Sequence, residues 1–252
     1  MLLNFQNKLV SAINEGNMED IKKLVLGSND IDKPLLPMSP ITPNPISKRI
    51  RIPKIYGPTP LVLAILCENT EIVKYLIEDK GANVEIIVSG MFPIHYAALV
   101  GIPEILICII KRSLREVNRL NNFFYSPLHI ACGNENLQAV IVLLDNGADP
   151  NSKSPSLESG DTPLHVSMRN KDKKIVELLL SKHANFQEVN QKNEKPIDTA
   201  QYYQNEQMYE FLKAVTIDET YIIPPYEVLS TKYSNCPDKI DRVLELLANS
   251  HC

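Results

Sequence analysis

The feature that most constrains this chain is a proline that recurs at a nearly constant interval. Five prolines open apolar segments at intervals of 33, 34, 36 and 33 residues: Pro60, Pro93, Pro127, Pro163 and Pro196. A period of about 20 to 50 residues is typical of stacked repeats, because one short unit cannot bury its apolar face alone. The spacing therefore predicts a chain of similar units in which each unit packs on its neighbours.

Each unit is predicted to contain two helices. Thr59, Ser126 and Thr162 directly precede a helix-opening proline, and their side-chain oxygens can accept from free N–H groups at the helix start. Proline suits the first helical position, where a missing N–H costs nothing. A second apolar segment with three- and four-residue spacing follows, as in residues 72–77, and it indicates a second helix. Gly81 is then placed to end that helix.

Several units carry a histidine two residues after the proline, as in Ser126-Pro127-Leu128-His129-Ile130-Ala131. These units resemble ankyrin repeats, whose pattern is T-P-L-H-x-A, and the resemblance extends over about residues 57 to 212. It implies an all-α solenoid of stacked antiparallel helix pairs with short hairpin-like loops. It also implies that His95, His129 and His165 form hydrogen bonds that link the repeats.

The sequence departs from this pattern in four places. Val62 and Asp198 stand where the family has histidine, and Phe92 and Lys195 stand where it has threonine. We expect weaker local hydrogen bonding in these units and an unchanged helical pattern.

The chain divides into four parts. Residues 1–32 are predicted to form an N-terminal capping unit, 33–56 a proline-rich basic loop, 57–215 five ankyrin repeats, and 216–252 a C-terminal helix pair. Terminal repeats are atypical because one of their faces has no neighbour. We therefore expect the C-terminal pair to cap the stack, and docking of a partner to this pair is the alternative.

The loop at 33–56 contains six prolines, five basic residues and no acidic residue. Its prolines exclude a regular helix or a central strand. Ser39 and Thr42 each precede a proline, so they are candidate phosphorylation sites at which added phosphate would offset the positive charge. The segment 48–51 has three basic residues and is also a weak candidate for a nuclear-import or nucleic-acid-binding patch. A solvated linker is the simpler interpretation.

Composition argues against several classes of function. The net charge is -4 and the pI is about 5.8, so nucleic acid is not an expected partner. Five widely separated cysteines without a CxxC pair favour a reducing compartment. No apolar run approaches the length of a membrane span and no signal peptide is visible. We expect a protein of the cytoplasm, with the nucleus as a second compartment, and no contact with a membrane.

No catalytic, cofactor or metal site is predicted. The three histidines occupy equivalent positions in successive units, so a structural role accounts for them. Phosphate-binding motifs such as GxGxxG and GxxxxGK are absent from the sequence, and no histidine pair has zinc-site spacing. We therefore expect a protein that is not an enzyme, has no cofactor and takes no small-molecule substrate.

A partner-binding surface is predicted on the concave side of the stack, where partners of ankyrin proteins usually dock. The predicted exposed positions lie at the ends of first helices and at loop tips: Leu66, Leu99, Val100, Asn134, Arg169, Tyr202 and Tyr203 on helices, and Met91, Phe92, Phe123, Phe124 and Tyr125 at tips. We expect the apolar members in the first half to form one exposed patch, which would mark a protein-binding site. Leu99, Phe123 and Phe124 are its candidate anchors, and the competing interpretation is that Phe123 or Phe124 packs inward.

The favoured function is a protein–protein interaction module that acts as scaffold, adaptor or inhibitor. The alternative is an adaptor that delivers substrates to a ubiquitin ligase or another regulatory complex through the segment after Tyr221, although no box motif is recognisable there. An enzyme is the third class, and a deep pocket with converging histidines and carboxylates would indicate it.

Overall fold

The computed structural model describes residues 2–25, 31–35, 54–154, 160–171, 173–216 and 222–234. Ser39, Thr42 and the basic segment 48–51 lie outside the described residues, as does the second helix of the predicted C-terminal pair. Within the described ranges the chain forms thirteen α-helices and no β-strand, and a single antiparallel bridge joins Val88 to Met91.

Twelve of these helices form six consecutive pairs. The first pair is α1 (Leu2–Asn14) and α2 (Met18–Val25). The five proline-opened pairs are α3 (Pro60–Leu66) with α4 (Thr70–Lys74), α5 (Pro93–Val100) with α6 (Pro103–Arg112), α7 (Pro127–Gly133) with α8 (Leu137–Asp145), α9 (Pro163–Ser167) with α10 (Lys174–Ser181), and α11 (Pro196–Tyr202) with α12 (Glu206–Thr216). A π-helical segment (Tyr75–Asp79) continues α4, and a 3-10 helix (Leu114–Asn118) follows α6.

The pairs stack into two layers. The first helices form an inner row in the order α1, α3, α5, α7, α9 and α11, and α4, α6, α8 and α10 form an outer row. One apolar core runs between the rows from Leu9 to Leu212. The predicted all-α repeat solenoid is therefore confirmed.

Side-chain caps start three of the inner helices as expected. Thr59, Ser126 and Thr162 each accept a hydrogen bond from the backbone N–H three residues later, at 3.3, 3.4 and 3.4 Å. A proline occupies the first helical position in all five proline-opened units. The cap and the proline together fix where α3, α7 and α9 begin.

Replacing Ser126 with alanine is expected to lower the free energy of unfolding by about 1–2 kcal/mol. Ser126 is buried, and its hydroxyl contacts both the His129 backbone N–H and the His129 ring, so alanine leaves buried polar groups without a partner. Urea unfolding followed by circular dichroism measures the change. Thr231→Ala, on an exposed face, is the control and should change the value by less than about 0.5 kcal/mol. Equal effects of the two substitutions would contradict the assigned cap.

The buried histidines link neighbouring repeats, as predicted. The Nε2 atoms of His95, His129 and His165 each lie 3.0 Å from a backbone carbonyl oxygen of the next unit. These acceptors belong to Tyr125, Asp161 and Glu194 respectively. Each bond ties an inner helix to the loop that precedes the next inner helix, so it fixes the register of the stack.

The departures from the repeat pattern have unequal effects. Nδ1 of His129 lies 2.7 Å from the Ser126 hydroxyl, whereas Nδ1 of His95 is buried without a hydrogen-bond partner because Phe92 has no hydroxyl. The predicted weakening is therefore confirmed at Phe92. At Lys195 the loss is offset, since the Lys195 backbone N–H donates to the Asp198 carboxylate at 2.8 Å.

The thirteenth helix, α13 (Tyr226–Ser234), does not take the predicted position at the end of the stack. Its main contacts are with the outer helices α8 and α10. The expectation that this segment covers the last repeat is therefore wrong for the described helix. The physical reason is that α13 buries Tyr226 and Leu229 against the outer helices, while the last pair presents exposed polar side chains such as Gln201, Gln204 and Glu206.

Candidate partner-binding surface

The loop tips share one unusual backbone feature. The residue three positions before each helix-opening proline adopts a left-handed conformation in all five units. The residues and their φ angles are Gly57 at 52°, Gly90 at 85°, Phe124 at 64°, Gly160 at 62° and Asn193 at 60°. Glycine and asparagine are the residues that take this conformation most readily. Phe124 is the exception, because a bulky side chain raises the energy of a left-handed backbone.

Phe124 is also exposed, with 46% of its surface accessible. Because nearly half of this aromatic residue is in water, it gains only part of the stabilisation that full burial would give, and its backbone conformation is unfavourable. Within the folded chain, therefore, neither packing nor turn geometry explains why this position is not glycine. Such a residue is a candidate for contact with another molecule.

Phe123 has the opposite placement. It is only partly exposed and packs against the apolar core. A Cβ atom built on Gly90 would lie 3.0 Å from Phe123 Cε2, so the ring fills the space beside that glycine. The two phenylalanines thus divide the predicted roles, with Phe123 packing between tips and Phe124 facing outward.

Hydrogen bonds join three consecutive tips into one edge. The Tyr56 N–H donates to the Ser89 hydroxyl at 3.0 Å, and the Asn122 N–H donates to the Gly90 carbonyl at 2.9 Å. Tyr56 is 60% exposed on this edge. Sequence reasoning assigned Tyr56 to the proline-rich loop and missed it. Its position four residues before Pro60, equivalent to Phe123 relative to Pro127, was the available signal.

Three residues of the predicted exposed patch are buried, so the prediction that they form an exposed surface is wrong. Leu99 is 1% exposed and Met91 is fully buried, because both side chains enter the core between adjacent units. Phe92 is covered by the Arg119 guanidinium, which lies 4.2 Å from the centre of its ring. None of the three is available to a partner in this conformation.

The remaining predicted positions near the first three tips are partly buried. Leu66 and Val100 pack against the core, and the Asn134 side chain donates to the Ile130 carbonyl at 2.8 Å. Tyr125 serves the fold through its backbone, since its carbonyl receives the His95 ring hydrogen bond. These residues support the loop tips through contacts within the fold, and they expose little side-chain surface to a partner.

A second group of predicted residues lies toward the other end of the stack. Tyr202 and Tyr203 are 70% and 51% exposed, and their rings meet edge to face with centroids 5.1 Å apart. The Arg169 guanidinium lies 4.9 Å from the centre of the Tyr203 ring. These three residues form an aromatic shelf with a fixed cation beside it.

A buried carboxylate orients Arg169. Asp161 is 2% exposed, and its Oδ2 atom pairs with Arg169 Nη2. The other oxygen accepts from the Asn190 amide at 2.9 Å. Asp161 offsets the charge of the guanidinium. Arg169 therefore offers a partner a flat hydrogen-bonding surface, and its positive charge is already paired.

The three thiols that the structure describes, Cys67, Cys108 and Cys132, show no sign of activation, because burial raises the pKa of each. Burial raises the pKa of Cys108 to about 11 and raises the pKa of Cys132 further. Thiolates, which are the reactive form, are therefore suppressed at both positions. In the part of the chain that the structure describes, no group of three or more histidine, cysteine, aspartate or glutamate side chains is arranged to hold a metal ion.

Two further features of the described residues are a surface depression and the length of the helices. A depression of about 420 Å³ between α1 and α2 is lined by Lys8, Glu15, Asp20 and Lys23, with no histidine among its lining residues. None of the helices in the described ranges has both the length and the apolar character that a membrane span requires.

These features define a class: helical-hairpin repeat proteins whose inner helices are opened by proline and tied together through histidine. Comparison with known sequences agrees. A profile of ankyrin repeats (3 copies) matches residues 9–121, 85–154, 108–193 and 128–220. The chain belongs to the ankyrin-repeat family.

Individual relatives are diverse. The chain is 33% identical over 95 residues to alpha-latrocrustotoxin-Lt1a of Latrodectus tredecimguttatus, which covers 38% of the chain and 7% of the relative. It is 28% identical over 210 residues to an ankyrin repeat protein of Fowlpox virus (strain NVSL), covering 80% of the chain and 34% of the relative. It is 29% identical over 119 residues to the target of rapamycin complex 2 subunit AVO2 of Saccharomyces cerevisiae, covering 46% and 27%. The chain thus spans about a third or less of the length of each of these relatives.

Proposed function

We propose that this chain is a protein-binding module that holds a protein partner against the edge formed by its loop tips and the adjoining concave surface. Ankyrin repeats are protein-interaction modules, and this chain has the repeat architecture throughout its described helical pairs. It acts by surface complementarity, without catalysis, as a scaffold, adaptor or inhibitor. The name of one relative, a subunit of target of rapamycin complex 2, fits membership of an assembly.

The observation that carries this proposal is Phe124. Its left-handed backbone and its exposure are both unfavourable in the free chain, and four equivalent tips use glycine or asparagine instead. Aromatic side chains that are exposed in the free protein and buried on binding commonly dominate interface energy. A partner with an apolar pocket would recover the burial that the free chain lacks.

The second contact region is the aromatic shelf formed by Tyr202, Tyr203 and Arg169. Tyrosine and arginine are enriched at interface hot spots, and the Asp161 pair holds this arginine in place before binding. We propose that the shelf supports a partner that is anchored at Phe124. We further propose that the protein acts in the cytoplasm, with the nucleus as a second compartment.

Substituting Phe124 with glycine or asparagine is expected to separate stability from binding. Relief of the left-handed strain should raise the free energy of unfolding by up to about 1 kcal/mol. Loss of an anchor should weaken partner binding about 30-fold, which corresponds to about 2 kcal/mol. Urea unfolding gives the first value, and affinity for a partner identified by affinity purification gives the second.

Val228→Ala is the matched control, because Val228 is also an exposed apolar residue but lies on α13, which packs on the outer helices. It should leave the same partner bound. Phe124→Tyr retains the ring and should bind within a few-fold of the natural chain. Unchanged affinity of the Phe124→Gly protein, with normal helical circular dichroism, would remove the proposed anchor.

A further inference from the structure

The helix α13 occupies a groove on the outer layer of the stack, between α8 and α10. It lies outside the repeat pattern, and it follows the last helix pair along the chain. It nevertheless returns past that pair to the outer helices of two earlier units. The helix therefore packs on outer helices that belong to earlier units of the stack.

Three side chains fix α13 in the groove, and they lie at positions i, i+3 and i+7 of the helix. Tyr226 and Leu229 are buried, and Tyr233 is partly buried. This spacing places all three on one face of a helix, and it is the usual pattern of anchors when a separate helix binds in a groove. The opposite face, which includes Glu227 and Lys232, is exposed.

The groove supplies polar contacts at both ends of the bound helix. The Tyr226 hydroxyl donates to the Ile141 carbonyl at 3.3 Å. At the other end, the Tyr233 hydroxyl donates to the buried Glu177 carboxylate, and the Gln138 amide donates to the Tyr233 carbonyl at 2.9 Å. These contacts fix the position and direction of the helix as well as burying its apolar face.

The length of α13 bears on how it is held. It has nine residues, and isolated helices shorter than about 12 residues are marginal in water. Its order therefore depends on the groove. The outer helix α8 is equally short, but it is held by its own inner helix α7 and by outer helices on both sides, α6 and α10.

We propose that the groove between α8 and α10 is a helix-docking site, that this chain's own α13 is its occupant, and that α13 leaves the groove while the repeat stack stays folded. The kind of helix that the site accepts is defined by α13 itself: a leucine between two tyrosines at i, i+3 and i+7. This inference concerns the outer layer and does not depend on the function proposed for the loop tips.

Hydrogen exchange on the unmodified 252-residue chain gives the first test. We expect the amides of residues 229–233 to exchange at least about 100-fold faster than the central amides of α8 and α10, because α13 opens as a separate unit. Equal protection of α13 and the two outer helices would show that they open together, and this result would overturn the proposal.

A peptide added in trans gives the second test. The probe is a fluorescein-labelled synthetic peptide of residues 222–234, and binding is measured by fluorescence anisotropy. The full-length Tyr226→Ala/Leu229→Ala protein, whose own helix no longer occupies the groove, should bind the peptide at least about 10-fold more tightly than the natural chain. The same peptide with both anchors replaced by alanine should not bind, and Gln138→Ala in the double variant should weaken binding.

Each other outcome contradicts the proposal. Equal binding of the peptide to both full-length proteins, or no binding to a folded double variant, would exclude a docking site. Unfolding of the repeat stack in the double variant would make α13 an integral element. A dimer that forms with increasing concentration, seen by light scattering, would assign the groove to α13 of a second copy.

Discussion

Lowering the pH from 7.5 to 5 is expected to remove about 4 kcal/mol from the free energy of unfolding, a large share of the stability of a typical domain. Burial lowers the pKa of His95 and of His129 from 6.5 to about 4. In the unfolded chain these rings take up a proton near pH 6.5, whereas in the folded chain they remain neutral. The unfolded state therefore binds more protons between pH 6.5 and 4, and stability falls as the pH falls. Each ring contributes about 2 kcal/mol by pH 5.

Burial also lowers the pKa of His165 and raises the pKa values of Glu116 and Asp145. The contribution of one histidine is therefore taken as the difference between the natural chain and a histidine variant, from urea unfolding at several pH values between 7.5 and 5. His129→Asn should lower stability at neutral pH and should also reduce the pH-dependent loss by about 2 kcal/mol. The exposed Thr231 provides the control, and Thr231→Ala, which removes no titratable group, should keep the full pH-dependent loss. A stability that does not vary between pH 7.5 and 5 would contradict the buried, neutral state of the linking histidines.

Replacing Arg169 with methionine is expected to destabilise the protein by about 3–5 kcal/mol, although Arg169 belongs to the candidate surface. The substitution leaves the Asp161 carboxylate buried without its guanidinium partner. It also removes the cation beside the Tyr203 ring. Arg169 thus has a structural role that must be separated from any role in binding.

The double variant Arg169→Met/Asp161→Asn separates the two roles. Because it removes the buried charge as well as its partner, it should recover most of the lost stability, and urea unfolding measures this directly. Partner affinity measured on the stable double variant then reports the contribution of Arg169 to the interface. A double variant that is no more stable than Arg169→Met would show that the buried charge is not the cause of the loss.

Much of the fold was predictable because its signals are local and repeated. The proline spacing gave the period, and Thr59, Ser126 and Thr162 marked the helix starts that the structure shows. The linking role of the histidines followed from their equivalent positions, and the structure confirms the bonds between repeats. These features can be predicted from the sequence because each unit uses the same contacts.

The candidate surface was less predictable, since exposure depends on contacts between units. Leu99 lies six residues after its helix-opening proline, as Leu66 does, yet Leu99 is buried and Leu66 is partly exposed. Phe123 and Phe124 are identical neighbours in sequence, and only backbone geometry places one against Gly90 and the other in water. The return of α13 to the outer helices involves contacts between residues 85 and 95 positions apart, for which no periodic signal exists.

The most direct test of the central claim is photo-crosslinking from position 124. A benzoylphenylalanine placed there keeps an aromatic side chain, and the same residue at position 228 on α13 serves as the comparison. We predict that the partner crosslinks to position 124, that position 228 gives no crosslink to it, and that mass spectrometry maps the attachment to an apolar pocket of that partner. A partner that crosslinks from position 228 and not from position 124 would contradict a binding surface at the loop tips.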